Sequence, residues 1–187
     1  MYLPGYPVPL EYAIRPVTYH NKAAVIDIFN YYVENTYSAY PQNKVSYEFF
    51  DVLMDMAKGY PFYVAKTNAE EAGETSGTRK RTPKKVIGYA FLRPHYRIDT
   101  FDGAAELTCF IAPGYTGNGI GRALLDRLVA DARNRGINTI LASISSANQA
   151  SIDFHTKYGF SKCGEFKGIG KKNGKAFDEV WMQLLIK

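Results

Sequence analysis

Three glycines alternate at Gly117, Gly119 and Gly121 within "IAPGYTGNGIGRALL", residues 111–125, and an amphipathic helical pattern starts directly behind them. A helix N-terminus presents unpaired N–H groups and the positive end of the helix dipole. Glycines beside it let an anion approach the backbone with no Cβ in the way. The chemistry this suits is a main-chain grip on a phosphate or pyrophosphate. A P-loop is excluded, because it needs GxxxxGK[ST] and no Lys-Ser or Lys-Thr follows these glycines. The dinucleotide fingerprint GxGxxG is also excluded, because Leu124 stands where its third glycine belongs. The plain structural alternative is a glycine-rich turn joining strand to helix. Three glycines argue against it, since each costs about 0.5–1 kcal/mol of chain entropy.

Other side chains narrow the chemistry. Cys109 and Cys163 are the only cysteines, and neither lies in a CxxC or Cys/His cluster, which speaks against a structural zinc. They read as two buried thiols in a reducing cytosol, and neither sits in a context that would activate a nucleophile. The net charge of +5 suits a polyanionic ligand, a nucleic acid, or nothing in particular. The basic run "RKRTPKK", residues 79–85, has no interleaved aromatics for base stacking and reads as a solvated loop tip, so no nucleic-acid partner is expected. No apolar run approaches the roughly 20 residues of a membrane span. "MYLPGYPVPLEY" lacks a basic region followed by an apolar run, so it is no secretory signal, and a cytoplasmic location is expected.

The elements that must position the glycine loop follow from periodicity. At 187 residues the chain suits one domain, here placed over 13–187 behind an arm, 1–12, that Pro4, Pro7 and Pro9 keep out of helix. A strand over 13–18 precedes a helix over 20–36, whose Ala24, Val25, Ile28, Phe29, Tyr32 and Val33 fall at helical spacing and whose N-cap is read as Asn21. A second helix spans 46–59, with Ser46 as cap and Gly59 past its end. Strands at 61–67 and 86–92 flank the polar stretch 68–85, which reads as a mobile hairpin loop. A strand at 104–112 leads into the glycine loop and a helix to Gly136, with Leu124, Leu125, Leu128, Val129 and Ala132 on its buried face. A strand at 139–145, a short helix ending at Gly159 and a strand pair turning at Asn173-Gly174 complete the chain. The order β-α-α-β-β-β-α-β-α-β-β implies a mixed α/β sheet with helices on both faces.

"TGNGIGRALL" after the "LTCFIAP" strand resembles the acyl-CoA-binding motif of the GNAT superfamily of N-acetyltransferases, whose pattern is Arg/Gln-x-x-Gly-x-Gly/Ala. "NQASIDFHTKYGF" resembles that superfamily's second conserved segment. "IRPVTYHNKAAVIDIFNYYVENT" resembles the opening of its phosphinothricin and methionine-sulfoximine acetyltransferase branch. The likeness runs from about Ile14 to Leu185. It implies a splayed, mostly antiparallel sheet, acetyl-CoA as cosubstrate with no metal, a small-molecule amine as acceptor, direct attack without a covalent enzyme intermediate, and a homodimer. A protein N-terminus or lysine as acceptor, and a catalytically silent coenzyme A binder, stay open beside it. Two departures stand out. Thr116 occupies the usual Arg/Gln position, so a side chain that would close over the loop is missing, and the 68–85 loop is longer than the usual short turn.

The same resemblance distributes roles. Glu106, on the strand before the loop, matches the acidic position of the branch and is the candidate general base, acting directly or through a water; an ordinary ion-paired strand acid is its bland alternative. Cys109, Phe110 and Ile111 match the segment whose backbone lies along the pantetheine arm and polarises the thioester carbonyl. Gly117, Asn118, Gly119, Ile120, Gly121 and Arg122 would hold the pyrophosphate, with Arg122 either adding a charge-assisted bond or remaining a solvated first-turn arginine. Asn148 matches an asparagine that bonds the pantetheine or an ordered water, and it is also a good N-cap. His155 stands where many relatives carry the group that protonates the departing thiolate, and is a candidate acid or proton shuttle. Lys157 matches a position that reaches the coenzyme. Tyr37, Phe91, Tyr96 and Phe101 could wall an acceptor pocket, or serve as core.

Overall fold

Val86–Pro94 contains seven consecutive buried residues, the signature of a strand covered on both faces, and it occupies the middle of the sheet. The computed structural model describes residues 10–68 and 84–186. The arm expected over 1–12 falls mostly outside these residues, as does the hairpin loop expected over 68–85. The strands are β1 (Tyr12–Pro16), β2 (Phe62–Thr67), β3 (Val86–Pro94), β4 (Ala104–Ile111), β5 (Thr139–Ser145), β6 (Ser161–Lys172) and β7 (Lys175–Leu185). The helices are α1 (Lys22–Asn35), α2 (Phe49–Met56), α3 (Ile120–Arg133) and α4 (Gln149–Lys157). The sheet order is β1-β2-β3-β4-β5-β7-β6, antiparallel throughout except for the β4–β5 pair.

Strand alternation divides the core. One face carries Ile87, Leu92, Ala105, Ile140, Ala142, Val180 and Met182, packed on Leu124, Leu125, Leu128 and Ala132 of α3. The other carries Phe62, Val64, Tyr89 and Phe91 under Val25, Ile26 and Ile28 of α1 and Phe50 and Leu53 of α2. Phe91 is therefore core and walls no pocket. Val129 is only half-buried.

Some local expectations need correction. Asn21 does not cap α1 with its side chain. A short 3₁₀ turn, Tyr19–Asn21, precedes the helix, and the Asn21 carboxamide oxygen accepts from the Thr18 N–H at 3.0 Å, so Thr18 opens the turn and Asn21 closes it. Ser46 likewise sits in a turn ahead of α2, which begins only at Phe49. Cys163 is exposed rather than buried, because β6 is the sheet edge. The stops at Gly59, Gly136 and Gly159 all have positive φ, as helix-ending glycines do, and Asn173 and Gly174 both take the left-handed conformation of a two-residue hairpin turn.

The long link between α1 and α2 is fastened from the far end of the chain. Lys172, 1% exposed, donates from Nζ to the carbonyls of Val33, Thr36 and Ala39 at 2.7, 2.8 and 2.7 Å. A buried ammonium is tolerable only with such partners, even though burial pulls its pKa below the ordinary lysine value. Lys172→Met leaves three carbonyls unpartnered and should lower stability by roughly 2–4 kcal/mol, measured as a drop in the urea midpoint.

Candidate active site

The β4–β5 ladder pairs Ala104 with Thr139, Ala105 with Ile140 and Glu106 with Leu141, and stops there. β3 follows β4 all the way to Ile111, and β7 follows β5 to Ser145. The two central strands therefore part beyond Glu106, and Leu107–Ile111 presents main-chain groups to a gap inside the sheet. Cys109, Phe110 and Ile111 line its β4 side. Phe110 packs against Phe29, Tyr32 and Tyr89, and the Tyr32 hydroxyl donates to the Ile111 carbonyl at 2.6 Å, so α1 fixes the strand end. Burial pushes the Cys109 thiol up to about 12, which removes it as a nucleophile.

The glycine loop stands at the mouth of this gap, between β4 and α3. Gly117 and Gly119 have φ of 80° and 76°, and Gly119 is the N-cap of α3. The first bond of the helix runs from the Ala123 N–H to the Gly119 carbonyl, so the amides of residues 117–122 all precede it. A Cβ at Gly117 would meet nothing within 4 Å, leaving the approach open. Asn118 uses its carboxamide to pin the loop, donating to the Tyr115 and Thr116 carbonyls at 3.2 Å each. Ile120 is buried, and Gly121 has a packing reason as well, since a Cβ there would lie 3.1 Å from the Phe154 ring. Arg122 pairs with Asp126 at 3.2 Å and lies over the Tyr158 ring, which also carries Lys157 at 5.8 Å. Two cations thus flank one exposed side of the α3 N-terminus. Bare amides, an open approach and these cations fit the phosphates of coenzyme A, and the gap fits its extended pantetheine arm.

The second short helix borders the gap from the β5 side. Asn148 caps α4 by accepting from the Ser151 N–H at 3.2 Å, and its Nδ2 donates to Ser38 Oγ at 2.9 Å. His155 is buried between Phe154 and Phe160 with Nδ1 2.7 Å from the Ser151 carbonyl, so Nδ1 carries the proton and Nε2 is an acceptor. Burial lowers its pKa.

Glu106 is buried on the face of β4 opposite the α3 core, with both oxygens engaged. Arg93 reaches Oε2 at 2.5 Å and His95 Nδ1 lies 2.8 Å from Oε1. The sequence reading missed Arg93 and His95, although their spacing of two along a strand end places both on the Glu106 face. It also missed Ser143, Glu179 and Trp181, which continue that face across β5 and β7. The Ser143 hydroxyl donates to Glu179 Oε1, Trp181 Nε1 donates to Oε2 at 3.1 Å, and Tyr40 Oη lies 3.0 Å from Ser143 Oγ. Among the expected wall residues, Tyr37 packs on Phe177, while Tyr96 and Phe101 pack on His95.

Residues 25–160 match the acetyltransferase (GNAT) family. The chain belongs to that family. This acetyltransferase is 30% identical over 169 residues to an L-methionine sulfoximine/L-methionine sulfone acetyltransferase of Salmonella typhimurium, covering 87% of each chain. It is 27% identical over 176 residues to a phosphinothricin N-acetyltransferase of Streptomyces viridochromogenes, covering 94% of this chain and 87% of that one. A crystal structure of a phosphinothricin acetyltransferase from Sinorhizobium meliloti in complex with AcCoA superposes with a TM-score of 0.80 at 26% identity, covering 95% of this acetyltransferase and 89% of that chain.

Two measurements probe the site. Gly119→Ala forces a Cβ into a left-handed N-cap, costing about 1–2 kcal/mol of strain, and calorimetry should show acetyl-CoA binding weakened by about tenfold. His155 titrates near 6.5 when unfolded and lower when folded, so the unfolded chain binds more protons between those values. Its contribution to stability is complete above about pH 6.5 and is lost as pH falls through the folded value. The melting temperature should fall on acidification below that point, and His155→Phe should flatten the fall.

Proposed function

We propose that this protein transfers the acetyl group of acetyl-CoA directly to the amine of a small molecule, an amino acid or an analogue such as methionine sulfoximine or phosphinothricin, and that it works as a homodimer in the cytoplasm. The observation that carries this reading is the coincidence of two features: a strand gap that begins at Glu106, and unclaimed main-chain amides at its mouth. A catalytically silent coenzyme A binder would need the second feature but not a buried, doubly anchored carboxylate beside the first.

The chemistry divides among the residues in place. Amides of residues 117–122 hold the pyrophosphate, with Arg122 and Lys157 adding charge from the Tyr158 side. The parted edge of β4, Cys109 to Ile111, aligns the pantetheine arm and offers an N–H to the thioester oxygen as negative charge builds there. Asn148 closes the β5 side. The acceptor ammonium first gives a proton through water to Glu106; the free amine then attacks the thioester carbonyl, and the carbon–sulfur bond breaks to release the thiolate as the nitrogen sheds its second proton. Arg93 and His95 fix the two Glu106 oxygens for that task. His155, neutral with Nε2 as acceptor, takes that second proton from the nitrogen and gives it to the thiolate. Cys109 stays out of the reaction, consistent with direct attack.

Thiol release from acetyl-CoA, measured against a panel of amines that includes amino acids and methionine sulfoximine, tests the reading. Glu106→Gln should reduce turnover by about 10²–10⁴-fold while leaving acetyl-CoA affinity in place. Equal turnover in the variant would remove Glu106 from the proton path.

A further inference from the structure

The face of the sheet that carries Glu106 holds a second carboxylate of different character. Glu106 is matched by the Arg93 guanidinium and by His95. Glu179 is half-buried, and among the described residues its partners are neutral donors only: the Ser143 hydroxyl and the Trp181 indole N–H. A carboxylate has room for about four hydrogen bonds, and one removed from bulk water without a cation is costly to keep. Among the described residues no cation meets it, so the group is suited to receive one from a ligand.

The surroundings indicate what that partner is. Trp181 lies beside Glu179, and Tyr40 reaches the same Ser143 hydroxyl that Glu179 holds. Tyr40 stacks on Phe177 with ring centroids 5.7 Å apart, and Tyr37 meets Phe177 edge-on at 5.8 Å. Gly170 leaves the room for this, because a Cβ there would collide with the Phe177 ring. Aromatic rings around a carboxylate make a place for an organic cation, since ring faces attract it and the carboxylate neutralises it. His95 and Trp181 bridge the two carboxylates: His95 Nδ1 lies 2.8 Å from Glu106 Oε1, its ring meets Trp181 edge-on with centroids 6.0 Å apart, and Trp181 Nε1 donates to Glu179 at 3.1 Å. That spacing is short enough for one small molecule to reach from the strand gap to Glu179.

We infer that Glu179, with Trp181, Tyr40 and Phe177, forms a subsite for a second cationic nitrogen on the acceptor, so that the preferred acceptors are basic amino acids and α,ω-diamines. The inference rests on the acetyl-transfer reading above and deepens it. The reacting amine sits at the gap beside Glu106, while the distal ammonium or guanidinium rests on Glu179 and keeps its charge throughout.

The test compares acceptors matched in chain length: ornithine against norvaline, lysine against norleucine, and putrescine against butylamine. Thiol release from acetyl-CoA gives kcat/KM for each. The basic member of each pair should exceed the neutral one by about tenfold or more, and Glu179→Gln should bring the ratio close to one. Thermal melting of the variant and its acetyl-CoA affinity establish that it is folded. A wild-type ratio at or below one overturns the subsite. So does a ratio that survives in Glu179→Gln, which would assign Glu179 to holding Ser143 and Trp181 in place. Thiol release with neutral acceptors alone sinks this inference and spares the acetyltransferase reading, whereas no release with any acceptor sinks both.

Discussion

The parting of β4 from β5 after Glu106 is the constraint on which everything else turns. A parallel pair inside a sheet normally satisfies its main-chain groups along its full length. Here the pairing lasts three residues, and the strand edge that follows is exposed within the sheet. The gap is kept open by what surrounds it. β3 holds one side of β4, β7 holds the far side of β5, and Tyr32 grips the Ile111 carbonyl from α1. The helices that follow the two parted strands, α3 and α4, then begin on either side of the opening. An extended ligand with a phosphate end is the shape such a cleft accepts: backbone groups along the arm, helix amides at the head.

Much of this was legible in the sequence because it rests on local rules. Helix-ending glycines, the apolar stripe of α3, the Asn173-Gly174 turn and the order of elements along the chain all follow from periodicity and turn chemistry, and those elements lie close to where the signals place them. The glycine loop is legible for the same reason: its function is a backbone function, and glycine spacing reports backbone conformation directly. Asn21 does hold the N-cap position of α1, but its side chain is turned to Thr18, and Ser46 misses the cap of α2 by two residues because an extra turn precedes the helix; side-chain type alone does not show where the first regular bond closes. The face around Glu106 was not legible. Arg93, His95, Ser143, Glu179 and Trp181 come from three strands far apart in sequence, and only the order β3-β4-β5-β7 makes them neighbours.

The two sides of the gap are built on different principles. The glycine-loop side relies on main chain held in unusual conformations, which tolerates change in many side chains. The Glu106 side relies on side chains and on the α1–α2 link, where substitution changes the surface directly. A fold with a fixed donor grip and a variable opposite wall can serve many amines with one chemistry.

The fastening of that link by Lys172 has a consequence for how the molecule comes into being. Its three acceptors lie 139, 136 and 133 residues earlier in the chain. Contacts so distant close last, after the intervening loop entropy has been overcome. During synthesis α3 and α4 emerge first, while the final hairpin supplies both the strand that holds the far side of β5 and the lysine that fastens the link. The newborn chain therefore leaves both sides of the opening unfinished until its last hairpin docks, and truncation near its end would undo them together.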